Sequence, residues 1–164
     1  MMKKKSQIIN SNIITKNKSA YFEYFIEREF EAGLVLYGWE VKSLRAGKIN
    51  ISDSYISISN EEAYLSGSIF NPLIFVSNNY SCNPKRNRKL LLNKSEINFL
   101  NYNKKQKGYT IIALMMYWKN AWCKIKIGLC KGKKKYNKLN EIKEREWKIN
   151  KARILKNKTV AMKH

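Results

Sequence analysis

The stretch YTIIALMMYWKNAWCKIKIGLCKGKKK, residues 109–135, decides the fold. Residues 111–118 form an eight-residue apolar run, far short of the roughly 18 to 20 apolar residues that a membrane-spanning helix needs. The run reads as a strand with both faces buried. Beyond Lys119 and Asn120 the pattern changes, and Lys124 and Lys126 alternate with Ile125 and Ile127. A period of two gives a strand one wet, basic face and one dry face. The stretch therefore predicts two strands joined around Lys119 and Asn120.

Working outward, residues 21–39, YFEYFIEREFEAGLVLYGW, mix apolar and charged side chains over 25–31 and turn almost wholly apolar after Gly33. They predict a long strand, half exposed and then buried, with a bend at Gly33. Gly38 and Gly47 bracket a short helix in which Val41, Leu44 and Arg45 share a face, with a glycine stop. Residues 54–70, SYISISNEEAYLSGSIF, alternate on both sides of a turn at 60–62 and predict a hairpin. A loop with Pro72 and Pro84 follows over 71–88, ending in the basic PKRNRK, and Ser95 reads as the N-cap of a helix through Leu100. The fold class is mainly β with short helices. About five strands need their edges satisfied, and a small antiparallel barrel of oligonucleotide-binding (OB) type does so.

The whole chain of 164 residues carries 33 Lys and Arg against 12 acids, a formal charge of +21. Self-repulsion on that scale implies a polyanionic partner, and the absence of a long apolar run favours nucleic acid over a membrane. With 44% apolar and 12% aromatic residues the chain can still fold. Three parts are expected: a flexible basic arm over 1–18, the barrel over 19–130, and a basic tail over 131–164. The tail holds 13 Lys and Arg against three Glu, a net of +10. Glu141 with Arg145 and Glu144 with Lys148 are favourable i, i+4 pairs, which predict a helix from about Asn140. Ile142 and Ile149 lie on one side of that helix, Trp147 and Ile154 on another, so no single apolar stripe docks on the barrel. The tail is expected to be disordered alone and helical when bound. The basic N-terminus lacks a continuous apolar core and a cleavage site, which suggests a cytoplasmic protein.

Catalysis finds little support. Cys82, Cys123 and Cys130 form no zinc-like cluster, and the only histidine is His164. No carboxylate cluster suits a metal, Ser43, Ser54 and Ser57 lack a base, and GKKK at 132–135 lacks phosphate-loop spacing. No enzyme, cofactor or metal is expected. The tail reads as a probe whose lysines meet phosphates while Tyr136 and Trp147 stack on bases. Lys85, Arg86, Arg88 and Lys89 either clamp a backbone or solvate a loop. One of Leu90, Leu91 and Leu92 is in excess for a two-faced strand, either exposed as a contact or buried at a junction. Two readings also stand for Glu31 and Glu40. Each is a charge on a wet face, paired for instance to Lys42 or Arg45, or a carboxylate that accepts from RNA donors and repels phosphate, so fixing register.

Several long motifs point one way. FEAGLVLYGWEVKSLRAGKINISDSY, RKLLLN, GYTIIALMMYWKNAWCKIKIGLCKGKK and IKEREW, in this order, resemble the SmpB (SsrA-binding protein) family of bacterial trans-translation over residues 17–156. The resemblance implies an OB-type barrel that binds the tRNA-like domain of transfer-messenger RNA (tmRNA). It also implies delivery with elongation factor Tu to a stalled 70S ribosome, where the tail enters the decoding centre and the empty messenger channel. It assigns RNA binding to Glu31, Leu91, Asn93 and Lys124, and ribosome binding to Lys131, Lys133, Lys134, Tyr136 and Lys138, with Lys143, Arg145, Trp147, Lys151 and Arg153 further along the same basic tail. Asn137, Lys138 and Leu139 depart from the family's run of aspartate, lysine and arginine. The alternative is a ribosomal or general single-strand RNA-binding protein, with a nuclease third.

Overall fold

In the computed structural model, the residues described are 13–73 and 82–161, excepting the side chains of 106–107, 135–136 and 156–161. The first 12 residues of the expected arm, part of the expected 71–88 loop, and His164 lie outside them. The long hairpin is present. Strands β8 (Thr110–Lys119) and β9 (Trp122–Gly132) pair antiparallel from Thr110 opposite Cys130 to Lys119 opposite Trp122. Asn120 turns the chain at φ 56°, a backbone region that asparagine tolerates better than most residues. Ile125 and Ile127 face the core while Lys124 and Lys126 stay on the wetter side, as the alternation requires.

Seven further strands are described: β1 (Ile13–Lys16), β2 (Tyr24–Leu34), β3 (Ile49–Asn50), β4 (Tyr55–Ser59), β5 (Glu62–Ser66), β6 (Ile69–Phe70) and β7 (Arg88–Leu91). The expected count of about five was low because β1, β3, β6 and β7 are too short to show a period. Neighbours run β8-β4-β5-β7-β2-β9, and β9 returns to β8, so six antiparallel strands close a barrel. Closure leaves few unpaired edges. Strand β8 shares its second edge between β4, through Ile112 opposite Tyr55, and β1, through residues 115–117. Phe30, Ala32, Ile56, Leu65, Leu90, Ile111, Ile125 and Ile127 fill the interior.

Three helices are described in the part of the chain that forms this ring. Neither β1 nor helix α1 (Lys18–Glu23) was foreseen: β1 falls within the expected arm, and α1 takes residues 21–23 from the expected long strand, which begins at Tyr24. Asn17 anchors them: its Oδ1 accepts from the Ala20 N–H at 3.0 Å, and its Nδ2 donates to the carbonyls of Ile51, Ser52 and Ala113. A side chain that caps a helix and ties three segments together is buried because every polar atom is used. Helix α2 (Gly38–Arg45) stops at Gly47, where φ is +67°, as expected. It buries Glu40, Ser43 and Leu44, whereas Arg45, expected to share a face with Leu44, is exposed. Strand β2 is irregular between Ile26 and Arg28, where its register against β9 shifts, and not at Gly33.

Helix α3 (Lys94–Lys107) is longer than expected, and its N-cap is Asn93, not Ser95. The Glu96 carboxylate accepts from the Asn93 N–H at 3.0 Å, and the Glu96 N–H returns to the Asn93 carbonyl. This Asn-x-x-Glu arrangement satisfies donors that a helix start leaves open. Gly108, at φ +63°, ends the helix.

The chain divides into two units, residues 1–132 and 133–164. Lys131, assigned to the tail from sequence, lies in β9 opposite Phe25. The second unit contains helix α4 (Lys135–Ala161), which starts ahead of Asn140. Lys148 pairs with Glu144 at 4.0 Å, Lys133 pairs with Glu141 at 2.6 Å, and Lys151 stands 4.9 Å from the Trp147 ring. Leu139, Ile142, Trp147, Ile149 and Ile154 are exposed along α4.

Candidate nucleic-acid interface

Strand register brings three of the four expected RNA-binding residues to one outer face. Gly33 on β2 stands opposite Leu91 on β7 and also opposite Lys124 on β9, while Glu31, two residues earlier, stands opposite Lys126. Side chains at paired positions share a face, and so do residues two apart. Leu91, Glu31 and Lys124 therefore meet across three neighbouring strands. Asn93 is exposed two residues beyond Leu91, where its backbone starts α3.

A Cβ at Gly33 would make an ordinary contact with Leu91 Cβ and Cδ1 at 3.4 Å, so Leu91 lies over the glycine. A pocket of about 400 Å³ beside them is lined by Gly33, Leu91, Trp118, Trp122, Cys123 and Lys124. Leu91 is 56% exposed, which makes it the surplus leucine of the sequence, while Leu90 is buried. Trp122, beside the β8–β9 turn, is 74% exposed. An apolar floor with an exposed indole and a cation at the rim suits an unstacked base or a sugar held beside its phosphate.

Glu31 is held by neighbours that the sequence did not reveal. The Tyr117 hydroxyl donates to its Oε2, and Lys119 Nζ donates to its Oε1 at 3.0 Å. The Tyr117 hydrogen bond, assisted by Lys119 and by the charge of Lys124, holds the Glu31 carboxyl below its ordinary pKa against the opposing effect of partial burial. Burial first, and the Glu31 hydrogen bond second, push the Tyr117 phenol well above its ordinary value. Nearby, Lys126 pairs with Glu29 at 3.1 Å. Lysine and carboxylate alternate on this face, with Lys124 at the pocket rim.

Glu40 has a different environment. Its carboxylate is fully buried and accepts from Arg86 Nε at 2.9 Å, Arg86 Nη2 at 2.5 Å, Arg88 Nε at 2.8 Å and the Tyr37 N–H at 2.8 Å. Its partners are thus the arginines of the PKRNRK loop and not Lys42 or Arg45. Arg88 is itself fully buried, donating to Ser68, Pro84 and Arg86 oxygens and lying 3.7 Å from the Phe70 ring. Burial lowers the Arg88 pKa and Glu40 opposes that shift. Lys89 pairs with Glu62. Of the four loop cations, read as clamping a backbone or solvating a loop, Arg88 is structural, Arg86 and Lys89 are engaged with carboxylates, and Lys85 is exposed.

The tail residues Lys138, Lys143, Arg145, Trp147, Lys151 and Arg153 lie along α4, with Lys133 and Lys134 just before it. Tyr136 is within α4, and its side chain lies outside the described ones. The cysteines are free thiols; burial pushes the Cys123 pKa up to about 12 and, with help from the Glu29 charge, the Cys130 pKa up to about 11. Thiols so shifted are poor nucleophiles at neutral pH. Among the described residues there is no group of three or more His, Cys, Asp or Glu arranged to hold a metal, and no helix long and apolar enough to cross a membrane.

A model of the SmpB protein family matches residues 14–157, which takes in the barrel, the Glu31 face and most of the tail. The chain belongs to the SmpB family. A solved structure described as "tmRNA-SmpB: a journey to the center of the bacterial ribosome" contains a chain that matches this one with a TM-score of 0.62 and 38% sequence identity. The match covers 74% of this chain and 85% of that chain. The motifs that resemble SmpB are carried by the strands of the candidate face: FEAGL by β2, RKLLLN by β7 and its exit, and the long hairpin by β8 and β9.

Proposed function

We propose that this chain is an RNA-binding adaptor of trans-translation, whose barrel binds the tRNA-like domain of tmRNA and whose basic tail engages a stalled ribosome. The observation that carries the reading is the meeting of Glu31, Leu91 and Lys124 on one outer face in a chain of the SmpB family. On that face Lys124 neutralises phosphate, while Leu91 and Trp122 offer apolar surface to sugars and bases. Glu31 accepts from base-edge donors or a 2′-OH and repels phosphate that arrives in the wrong register. Asn93 sets the start of α3 beside them and presents its side chain to the RNA.

The tail acts on the ribosome. Lys133, Lys134 and Lys138, then Lys143, Arg145, Trp147, Lys151 and Arg153, supply cations and an aromatic ring to the decoding centre and the empty messenger channel, with Tyr136 stacking near the decoding centre. A segment so charged gains order on a polyanionic groove, where its lysines no longer repel one another. Elongation factor Tu accompanies the aminoacylated tmRNA complex to the ribosome. The work is binding and placement in the cytoplasm, without a cofactor and without bond chemistry on the chain's own side chains.

Gel shifts test the barrel's role: the tRNA-like domain should bind much more tightly than unstructured RNA at physiological salt, and equal affinity for both would sink the adaptor reading. Truncation after Gly132, the end of β9, should spare RNA binding and abolish rescue of stalled ribosomes. In the tail, Asn137→Asp with Leu139→Arg restores the family's charges and should raise tagging activity without changing RNA affinity.

A further inference from the structure

We propose that Tyr117 is a positioning residue for RNA recognition: its phenolic hydroxyl fixes the Glu31 carboxylate in one orientation on the outer face, leaving the remaining lone pairs directed at the RNA. The inference rests on the reading of Glu31 as an RNA contact.

The geometry has three parts. Glu31 lies on β2 and Tyr117 on β8, with β9 between them; Glu31 is opposite Lys126 and Tyr117 opposite Lys124, so the phenol reaches diagonally across the central strand. The anchor is firm. Tyr117 is only 5% exposed, and its backbone is paired on both sides, with Lys124 of β9 and Ile13 of β1. Its hydroxyl then takes Oε2, while Lys119, 60% exposed in its side chain, takes Oε1. An ionised carboxylate has about four lone-pair directions, and two partners leave about two for a ligand.

The two partners differ in what they can do. A lysine on a flexible stem follows the carboxylate as it moves, whereas a phenol held between two strands does not. A free glutamate side chain loses rotamer freedom when RNA binds, and a glutamate already held by Tyr117 has lost it beforehand, so that pre-organisation lowers the cost of binding. The hydrogen bond also keeps Glu31 an acceptor by favouring its ionised form. Lys124 and Lys126 face the same carboxylate, from β9, and neither is hydrogen-bonded to it in the way that Tyr117 and Lys119 are.

The experiment measures affinity of the full chain for the tRNA-like domain of tmRNA in wild type, Tyr117→Phe, Glu31→Gln and the double variant. Removing the hydroxyl should weaken binding about three- to tenfold, the range expected from freeing one bound side chain, and should add nothing once Glu31 is Gln. Carbon-13 titration of the Glu31 carboxyl supplies a readout that a packing role would not move: its pKa should rise in Tyr117→Phe. Wild-type affinity in Tyr117→Phe alongside weakened binding in Glu31→Gln overturns the positioning role alone. Additive losses in the double variant do the same. Wild-type affinity in Glu31→Gln overturns the reading of Glu31 as a contact, and the positioning role with it. If Tyr117→Phe does not fold, hydroxyl-proton exchange in the wild-type chain replaces it: slow exchange that becomes fast in Glu31→Gln supports the proposal, and fast exchange in both overturns it.

Discussion

Glu31 and Glu40 are nine positions apart in a chain of 12 acids, and they occupy opposite kinds of site. Glu40 is enclosed: two guanidinium groups and a backbone N–H fill its oxygens, and nothing is left for a ligand. Glu31 has one buried partner and one exposed one, and it lies two residues before Gly33, which lines a pocket. Exposure and unused lone pairs, not charge, separate a structural carboxylate from one that can meet RNA. The same contrast divides the cations. Arg88 is spent inside the protein, whereas Lys124 stands on the pocket rim.

The largest expected effect breaks the enclosed site. Glu40→Ala leaves Arg86 and Arg88 without their carboxylate, and loss of one partner of a buried pair costs about 3–5 kcal/mol. Denaturant unfolding should show that loss, while the fraction still folded should keep wild-type affinity for the tRNA-like domain. A stability change below about 1 kcal/mol would mean that the network behaves like a surface ion pair.

On the open face the expected order reverses, with binding affected more than stability. Trp122→Ala removes an indole that is 74% exposed. Loss of a stacking platform costs about 1–3 kcal/mol of RNA binding, whereas an exposed substitution changes stability by only about 0.5 kcal/mol. Titration with the tRNA-like domain, set beside thermal unfolding, measures both. Unchanged affinity would remove Trp122 from the interface and leave Leu91 and Lys124 as its rim.

How much of this was legible depends on distance along the chain. The β8–β9 hairpin was readable because ten and eleven residues are enough to display a period, and α2 because a glycine with positive φ ends it. Strand β7 was hidden: Arg88 looks solvated in a basic run, and its carboxylate partner lies 48 residues away, beyond any local pattern. Two signals were present and misread. Asn17 before α1 and Asn93 three residues before Glu96 are helix starts, and Ser95 was preferred to the second. The proposed contacts Glu31, Leu91 and Lys124 came from family resemblance, since only strand register brings them to one face. Tyr117 was missed because it sits in an apolar run whose two faces look alike in sequence, though one of them is the face of Glu31 and Lys119.

The smallest effect concerns the pH dependence of that open face. Folding lowers the Glu31 pKa, chiefly through the Tyr117 hydrogen bond, so near the ordinary carboxylate value the unfolded chain binds more protons than the native state. The stabilisation from ionised Glu31 is therefore complete above that value and is lost as pH falls through the lowered native one. Glu31→Gln removes it at every pH. The difference in unfolding midpoint between wild type and Glu31→Gln should be constant near neutrality and shrink as the solution is acidified through the carboxylate range. Because Glu31 is partly exposed, salt should reduce the part of this difference that comes from Lys119 and Lys124, while the hydrogen bond to buried Tyr117 should persist. A difference abolished by salt alone would make the lysines, and not Tyr117, the holders of Glu31.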